Sequence, residues 1–137
     1  MFEKLTGDVQ GPLEVNGALE IDGTLHGGAD VTGTLDLRGA CYGPLQVRLD
    51  GHADVEAVVH GDVLAHSGRL RLRGIVEGIL NARPEADVRF AVGTILNGRQ
   101  LQADGSFVPV EGPFRLNIPD DAVMMRLQPD ATWAPVD

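Results

Sequence analysis

"GPLEVNGALEIDGTLH", residues 11–26, is followed at once by "GGADVTGTLDLRGACY", residues 27–42. The two lines share a register. Gly11 falls on Gly27, Gly17 on Gly33 and Gly23 on Gly39, while Val15, Ile21 and Leu25 fall on Val31, Leu37 and Cys41. A repeat of 16 residues marks a supersecondary unit stacked on copies of itself. Inside each line, pieces such as "LEV", "LEI" and "LDL" set two apolar residues around one polar residue, which is the period of a strand and not of a helix. Each coil therefore reads as three short strands joined by turns in which glycine accepts positive φ at little cost. A strand this short cannot bury its apolar face alone. Stacking the coils about 4.8 Å apart closes one continuous core.

The pattern continues as "GPLQVRLDGHADVEAVVH" (43–60) and "GDVLAHSGRLRLRGIVE" (61–77), with two and one extra residues that fall in turns. A fifth coil opens "GILNARPEADVRFAV" at Gly78 and then leaves the register, and "LTGDVQ" (5–10) matches the end of a coil. Five inward columns follow: Leu13, Ala29, Leu45, Val63, Leu80; Val15, Val31, Val47, Ala65, Ala82; Leu19, Leu35, Ala53, Leu70; Ile21, Leu37, Val55, Leu72; and Leu25, Cys41, Val59, Val76. No charge enters them. The expected fold is all-β, a three-sided β-solenoid of about five coils over residues 1–97. Spacings of four and six with insertions, in place of a strict hexapeptide, favour a right-handed β-helix. Residues 98–137 form an irregular C-terminal extension that holds five of the eight prolines and the only Trp. In it "FVPV" and "FRLNI" read as strands around a turn, and "PDDAVMMRL" as one or two helical turns. Its expected role is to cap the open sheet edge of the last coil or to bind a partner.

Composition narrows the function. The net charge of −9 disfavours nucleic acid and anionic membrane surfaces as partners. The single Cys41 permits no intrachain disulfide. "MFEKLTGD" lacks the apolar stretch of a signal peptide and no run is long enough to span a membrane, so a cytoplasmic protein is expected.

Motifs that carry chemistry are scarce. His26, Tyr42, His60 and Glu77 form an outward column, but its histidines stand two rungs, about 9–10 Å, apart, too far to share one ion. Glu20, Asp36 and Asp54 stack outward and are followed by Arg71; beside them Asp22, Arg38, Glu56 and Arg73 alternate in sign. The three carboxylates suit a weak calcium site or, with long turn insertions that this chain lacks, a sugar-cleaving pair. Cys41 reads as a small core residue. No GxSxG, HExxH or CxxC spacing occurs, and the glycines belong to turns and not to a phosphate loop. No catalytic residue, cofactor or metal ligand is assigned.

The stretches "GPLEVNGALEIDGTLHGGADVTGTLDLRGACYGPLQV" and "GRLRLRGIVEGIL" resemble the bactofilins, polymer-forming bacterial cytoskeletal proteins, over about residues 5–96. The resemblance implies a short right-handed β-helix and nucleotide-free, end-to-end assembly without catalytic residues. A tail of 40 residues departs from the short proline-rich tails of that family and would block one stacking end. The expected function is a non-enzymatic scaffold that pairs with itself through the N-terminal edge at Phe2, Leu5 and Val9. The alternative is an acidic binding protein, such as an inhibitor of a basic toxin, with Phe107, Phe114, Met124, Met125 and Trp133 as anchors. A third reading is a calcium-dependent carbohydrate binder or sugar-active enzyme.

Overall fold

The computed structural model describes residues 2–111, 118–119 and 121–136, and of Phe2 the backbone alone. Alternation dictates the first eight strands. Nine-residue strands β1 (Phe2–Gln10), β3 (Ala18–His26), β5 (Thr34–Tyr42) and β7 (His52–His60) alternate with three-residue strands β2 (Leu13–Val15), β4 (Ala29–Val31), β6 (Leu45–Val47) and β8 (Val63–Ala65). Each pairs in parallel with its equivalent one coil on, as in Ile21 on Leu37 on Val55. The next coil splits the long strand in two. β9 (Gly68–Leu72) lies on His52–Val55, β10 (Ile75–Val76) on Val58–Val59, and β11 (Leu80–Ala82) on β8. Each long strand thus spans two faces and the short strands make the third. The chain is the expected three-sided β-solenoid.

It has about six turns, where the sequence suggested about five. At the start, β1 pairs with the whole of β3, so residues 2–10 supply a full first strand and not only the end of a coil. At the other end, β12 (Ala86–Ala91) stays in register on β9, with Val88 on Leu70 and Phe90 on Leu72, and β13 (Ile95–Leu96) follows β10. The register expected to fail after Gly78 persists. The corners on either side of β12, at 83–85 and 92–94, are longer than those of the first coils.

All five apolar columns stack as read from the sequence. Val31, Leu35, Leu37, Cys41, Leu45, Val47, Val55, Val59 and Val63 have no exposed surface. The extra residues of the longer coils sit at the corner after the three-residue strand, where Leu49 and Asp50 take positive φ. One reading of glycine changes. Gly23 and Gly39 lie within long strands and not between them, at the bend that joins two faces, with φ of +154° and +126°. A Cβ on Gly39 would stand 2.0 Å from the Gly23 carbonyl oxygen.

The C-terminal extension continues the sheet with reversed strands. β14 (Arg99–Leu101) pairs antiparallel with β13 and with β15 (Phe107–Pro109); β16 (Met124–Leu127) pairs antiparallel with β12 and with β17 (Trp133–Pro135). Of the helical turns expected over "PDDAVMMRL", a single turn is present among the described residues, with the Ala122 N–H donating to the Pro119 carbonyl (3.1 Å), and the second half is β16. Strand alternation wins there because the edge of β12 offers backbone partners, and Met125 turns into the core while Arg126 turns out. Among the described residues there is no helix. The two hairpins are copies of one device. "LQADGSFVP" (101–109) and "LQPDATWAP" (127–135) align residue for residue. In the first, Asp104 Oδ1 accepts from the Ser106 N–H (3.0 Å) and Oγ–H (2.6 Å). In the second, Asp130 Oδ1 accepts from the Thr132 N–H (3.1 Å) and Oγ1–H (2.5 Å). These bonds favour the charged carboxylates, and both carboxyls titrate below the usual range.

Candidate functional site

The solenoid has two unlike ends. At the N-terminal end, among the described residues, β1 pairs only with β3 and β2 only with β4. Nine residues of one strand and three of another therefore present a free backbone edge. Of the residues expected there, Val9 is buried on Leu25 and Leu5 is half-buried on Ile21, both in the core columns, while the Phe2 side chain lies outside the description. Glu3, Lys4, Thr6 and Asp8 are exposed along the same edge. Charges of this kind discourage indiscriminate edge pairing.

The C-terminal end is covered on two of its three faces, by β16 on β12 and β14 on β13. Phe90 and Trp133 rings lie 4.8 Å apart, and Phe107 meets Trp133 edge-on at 5.7 Å. Met125 is fully buried, and Phe107, Met124 and Trp133 are half-buried. Phe114 lies outside the described residues. The residues proposed as partner anchors that can be placed thus pack largely against the last coil. Between the cap and the free edge of β11 an open groove of about 450 Å³ remains, lined by Ile79, Leu80, Leu96, Asn97, Arg99, Phe107 and Trp133.

Outward columns carry the charge. Lys4, Glu20, Asp36, Asp54, Arg71, Arg89 and Arg126 follow one another, rung by rung, on one face. Three carboxylates are succeeded by three guanidiniums. Sequence reading reached Arg71 and stopped, because Arg89 follows a coil of different length and Arg126 arrives on an antiparallel strand that only the hairpin repeat announces. Burial, then the neighbouring Asp54, raises the pKa of the Asp36 carboxyl; Arg38 opposes this and Glu20 adds to it. At the other end of the column Asp87 receives Arg89 (3.0 Å), Arg126 (3.3 Å) and Arg69 (3.6 Å). Burial alone would raise its pKa, but the three guanidiniums hold it below the usual range. In the adjacent column Arg73 Nη2 pairs with Glu56 at 2.7 Å.

The ladder at a corner forms as expected. Tyr42 stacks between His26 (5.6 Å) and His60 (4.4 Å), Asp8 lies 3.5 Å from His26 Nε2, and Glu77 lies 2.6 Å from His60 Nδ1. Each interior ring face is covered by the next ring, which leaves edges and not faces to solvent. Among the described residues no group of three or more His, Cys, Asp or Glu side chains is placed to hold a metal ion, the Glu20–Asp36–Asp54 column included. The Cys41 thiol, buried in its column, is pushed up to about 11 and is a poor nucleophile at neutral pH. Among the described residues no helix is long and apolar enough to cross a membrane. No family model, no curated protein and no solved structure matches this chain.

Proposed function

We propose that the chain is a non-enzymatic structural protein of bactofilin-like type, acting in the cytoplasm, that associates with itself through its N-terminal edge. The observation that carries this reading is the asymmetry of the ends: twelve strand residues of free backbone edge at one end and a double hairpin over the other. A capped C-terminal end stops head-to-tail growth, so the favoured product is a closed pair, N-terminus to N-terminus, related by a twofold axis. The charges suit that pairing. Two β1 strands set antiparallel about Thr6 place Lys4 of each copy opposite Asp8 of the other, which favours one register over its neighbours. The binding-protein alternative ranks below it because Phe107, Met125 and Trp133 pack into the cap.

Sedimentation across a concentration series tests the proposal. Self-association through this edge is expected for the native chain. Lys4→Glu sets like charges opposite at the edge and is expected to reduce the size of the particle by the loss of end pairing; Lys4→Glu with Asp8→Lys restores it. A native chain that is monomeric at every concentration, or a double variant no better than the single one, refutes the edge pairing.

A further inference from the structure

Charge is not spread evenly along the rod. Residues 1–66 hold 11 acidic and 3 basic residues, whereas 67–101 hold 3 acidic and 6 basic. On the face described above this becomes a bipolar stripe. Glu20, Asp36 and Asp54 occupy three successive rungs, and Arg71, Arg89 and Arg126 the next three. At about 4.8 Å per rung the six span roughly 24 Å of a single face. Like charges one rung apart repel, which costs stability in each half. In-chain partners relieve only part of it. Asp87 is one carboxylate shared by Arg69, Arg89 and Arg126, and Arg38 reaches Asp36 at 3.8 Å. Asp54 and Arg71, at the centre of the stripe, are both exposed.

A stripe with three negative rungs followed by three positive rungs is its own complement when reversed. A twofold axis lying in the plane of the face, across the stripe between Asp54 and Arg71, turns a second copy over and reverses its direction. We propose that this face binds a second copy of the chain, antiparallel and face to face, with Glu20, Asp36 and Asp54 of one copy against Arg126, Arg89 and Arg71 of the other. The operation matches every rung: Asp54 meets Arg71, Asp36 meets Arg89 and Glu20 meets Arg126, and symmetry doubles the three contacts to six. The adjacent column obeys the same axis, since Glu56 of one copy falls across from Arg73 of the other. The interface is isologous and closes as a dimer. It is separate from the N-terminal edge, because Lys4, one rung outside the acidic block, and Asp8 take no part in it. A chain using both surfaces would join end-to-end pairs side by side.

The test uses the full chain and charge sorting. One variant carries Glu20→Lys, Asp36→Lys and Asp54→Lys; the other carries Arg71→Glu, Arg89→Glu and Arg126→Glu. Both are made in the Lys4→Glu background, so that end pairing does not contribute, and β-sheet content is checked by circular dichroism. Neither variant is expected to self-associate, and an equimolar mixture is expected to give a 1:1 heterodimer by sedimentation. A folded pair that stays monomeric on mixing overturns the proposal, as does a reversed variant that dimerises alone as well as its parent does. Should a triple variant fail to fold, salt decides with the Lys4→Glu chain itself. Its side-by-side dimer is expected to weaken at least tenfold between about 0.05 M and about 0.5 M sodium chloride, as screening shortens the reach of the pairs. Association unchanged over that range refutes the stripe without bearing on the edge.

Discussion

Gly39→Ala tests whether the solenoid depends on close stacking of backbone at its bends. Gly39 sits in the middle of β5 with φ +126°, and an added Cβ would lie 2.0 Å from the Gly23 carbonyl oxygen one rung below. That oxygen belongs to backbone held in the ladder on both sides, so it cannot swing away as a side chain would. Relief requires opening the gap between rungs by about 1 Å of a spacing of about 4.8 Å. Two ladder hydrogen bonds around the bend are then lost or lengthened, at about 1 kcal/mol each. A φ region reserved largely for glycine adds about 1–3 kcal/mol. The expected loss is about 3–5 kcal/mol, a large share of the roughly 5–15 kcal/mol that holds a domain together. Gly17 is the internal control: nothing lies within 4 Å of its added Cβ, and its φ is not positive. Gly17→Ala is expected to be neutral or to stabilise by up to about 1 kcal/mol through the unfolded chain. Urea unfolding followed by circular dichroism compares the two midpoints, and thermal melts should show Gly39→Ala lower by about 10 °C or more. Equal midpoints for Gly39→Ala and the native chain, or equal damage from Gly17→Ala, would refute close backbone stacking at this bend.

The cap and the charged face give four further predictions. Trp133→Ala removes the ring that meets both Phe90 and Phe107; it should cost about 2–3 kcal/mol and raise binding of a hydrophobic dye at the C-terminal end, and an unchanged melt would mean that the cap does not rest on this ring. Ala131 holds φ +68° at the position where the sister hairpin has Gly105, so Ala131→Gly should stabilise by about 0.5–1 kcal/mol, read as a higher melting temperature. Asp36 has a raised pKa, so the native state holds its proton more tightly than the unfolded chain and this group stabilises the fold as pH falls through its native value; Asp36→Asn should therefore raise stability at pH 7 and lose that advantage below pH 3.8, the ordinary aspartate value. Asp87, with a lowered pKa, acts in the opposite sense: its contribution is present above pH 3.8 and is lost as pH falls through its depressed value, so Asp87→Asn should destabilise at pH 7.

The core was legible because a stacked fold writes each contact as a fixed offset in sequence. Val15, Val31 and Val47 are 16 residues apart and touch for that reason. Legibility ended where contacts stopped being periodic. β12 could not be extended by counting, because the corner at 83–85 is two residues longer than its first equivalents, although Phe90 then returns to the column of Leu72. β16 reverses direction, and no fixed offset links Arg126 to Arg89. One signal was available and would have found it: the match of "LQADGSFVP" to "LQPDATWAP" gives the cap its two hairpins and places Phe107 and Trp133 as equivalents. The helical reading of "PDDAVMMRL" failed beyond its first turn, and for the opposite reason. It weighed local preferences at a start signal and gave no weight to an open strand edge waiting for a partner.

Repetition inside the solenoid creates a problem that the outside must solve. Val lies on Val and Leu on Leu through successive coils, so a slip by one whole coil would leave the aliphatic columns almost unchanged. The core can state that coils stack but not which coil stacks on which. That information has to come from contacts that differ from rung to rung. Arg48 gripping Asp30, Arg73 on Glu56, Glu77 on His60 and three arginines on Asp87 are such contacts, and each occurs once. The corner insertions add to them, as when the Ser67 hydroxyl oxygen accepts from the Asp50 N–H. Ordering the rungs thus accounts for charges that alternate or pair between neighbours. It does not account for Glu20, Asp36 and Asp54 stacked like on like, nor for Arg71 after them, and the one Asp87 is shared by Arg69, Arg89 and Arg126; a block of one sign distinguishes neighbouring rungs poorly and costs repulsion besides. The part of the surface that the folding of one chain leaves unexplained is the part that a second chain, reversed, would complete.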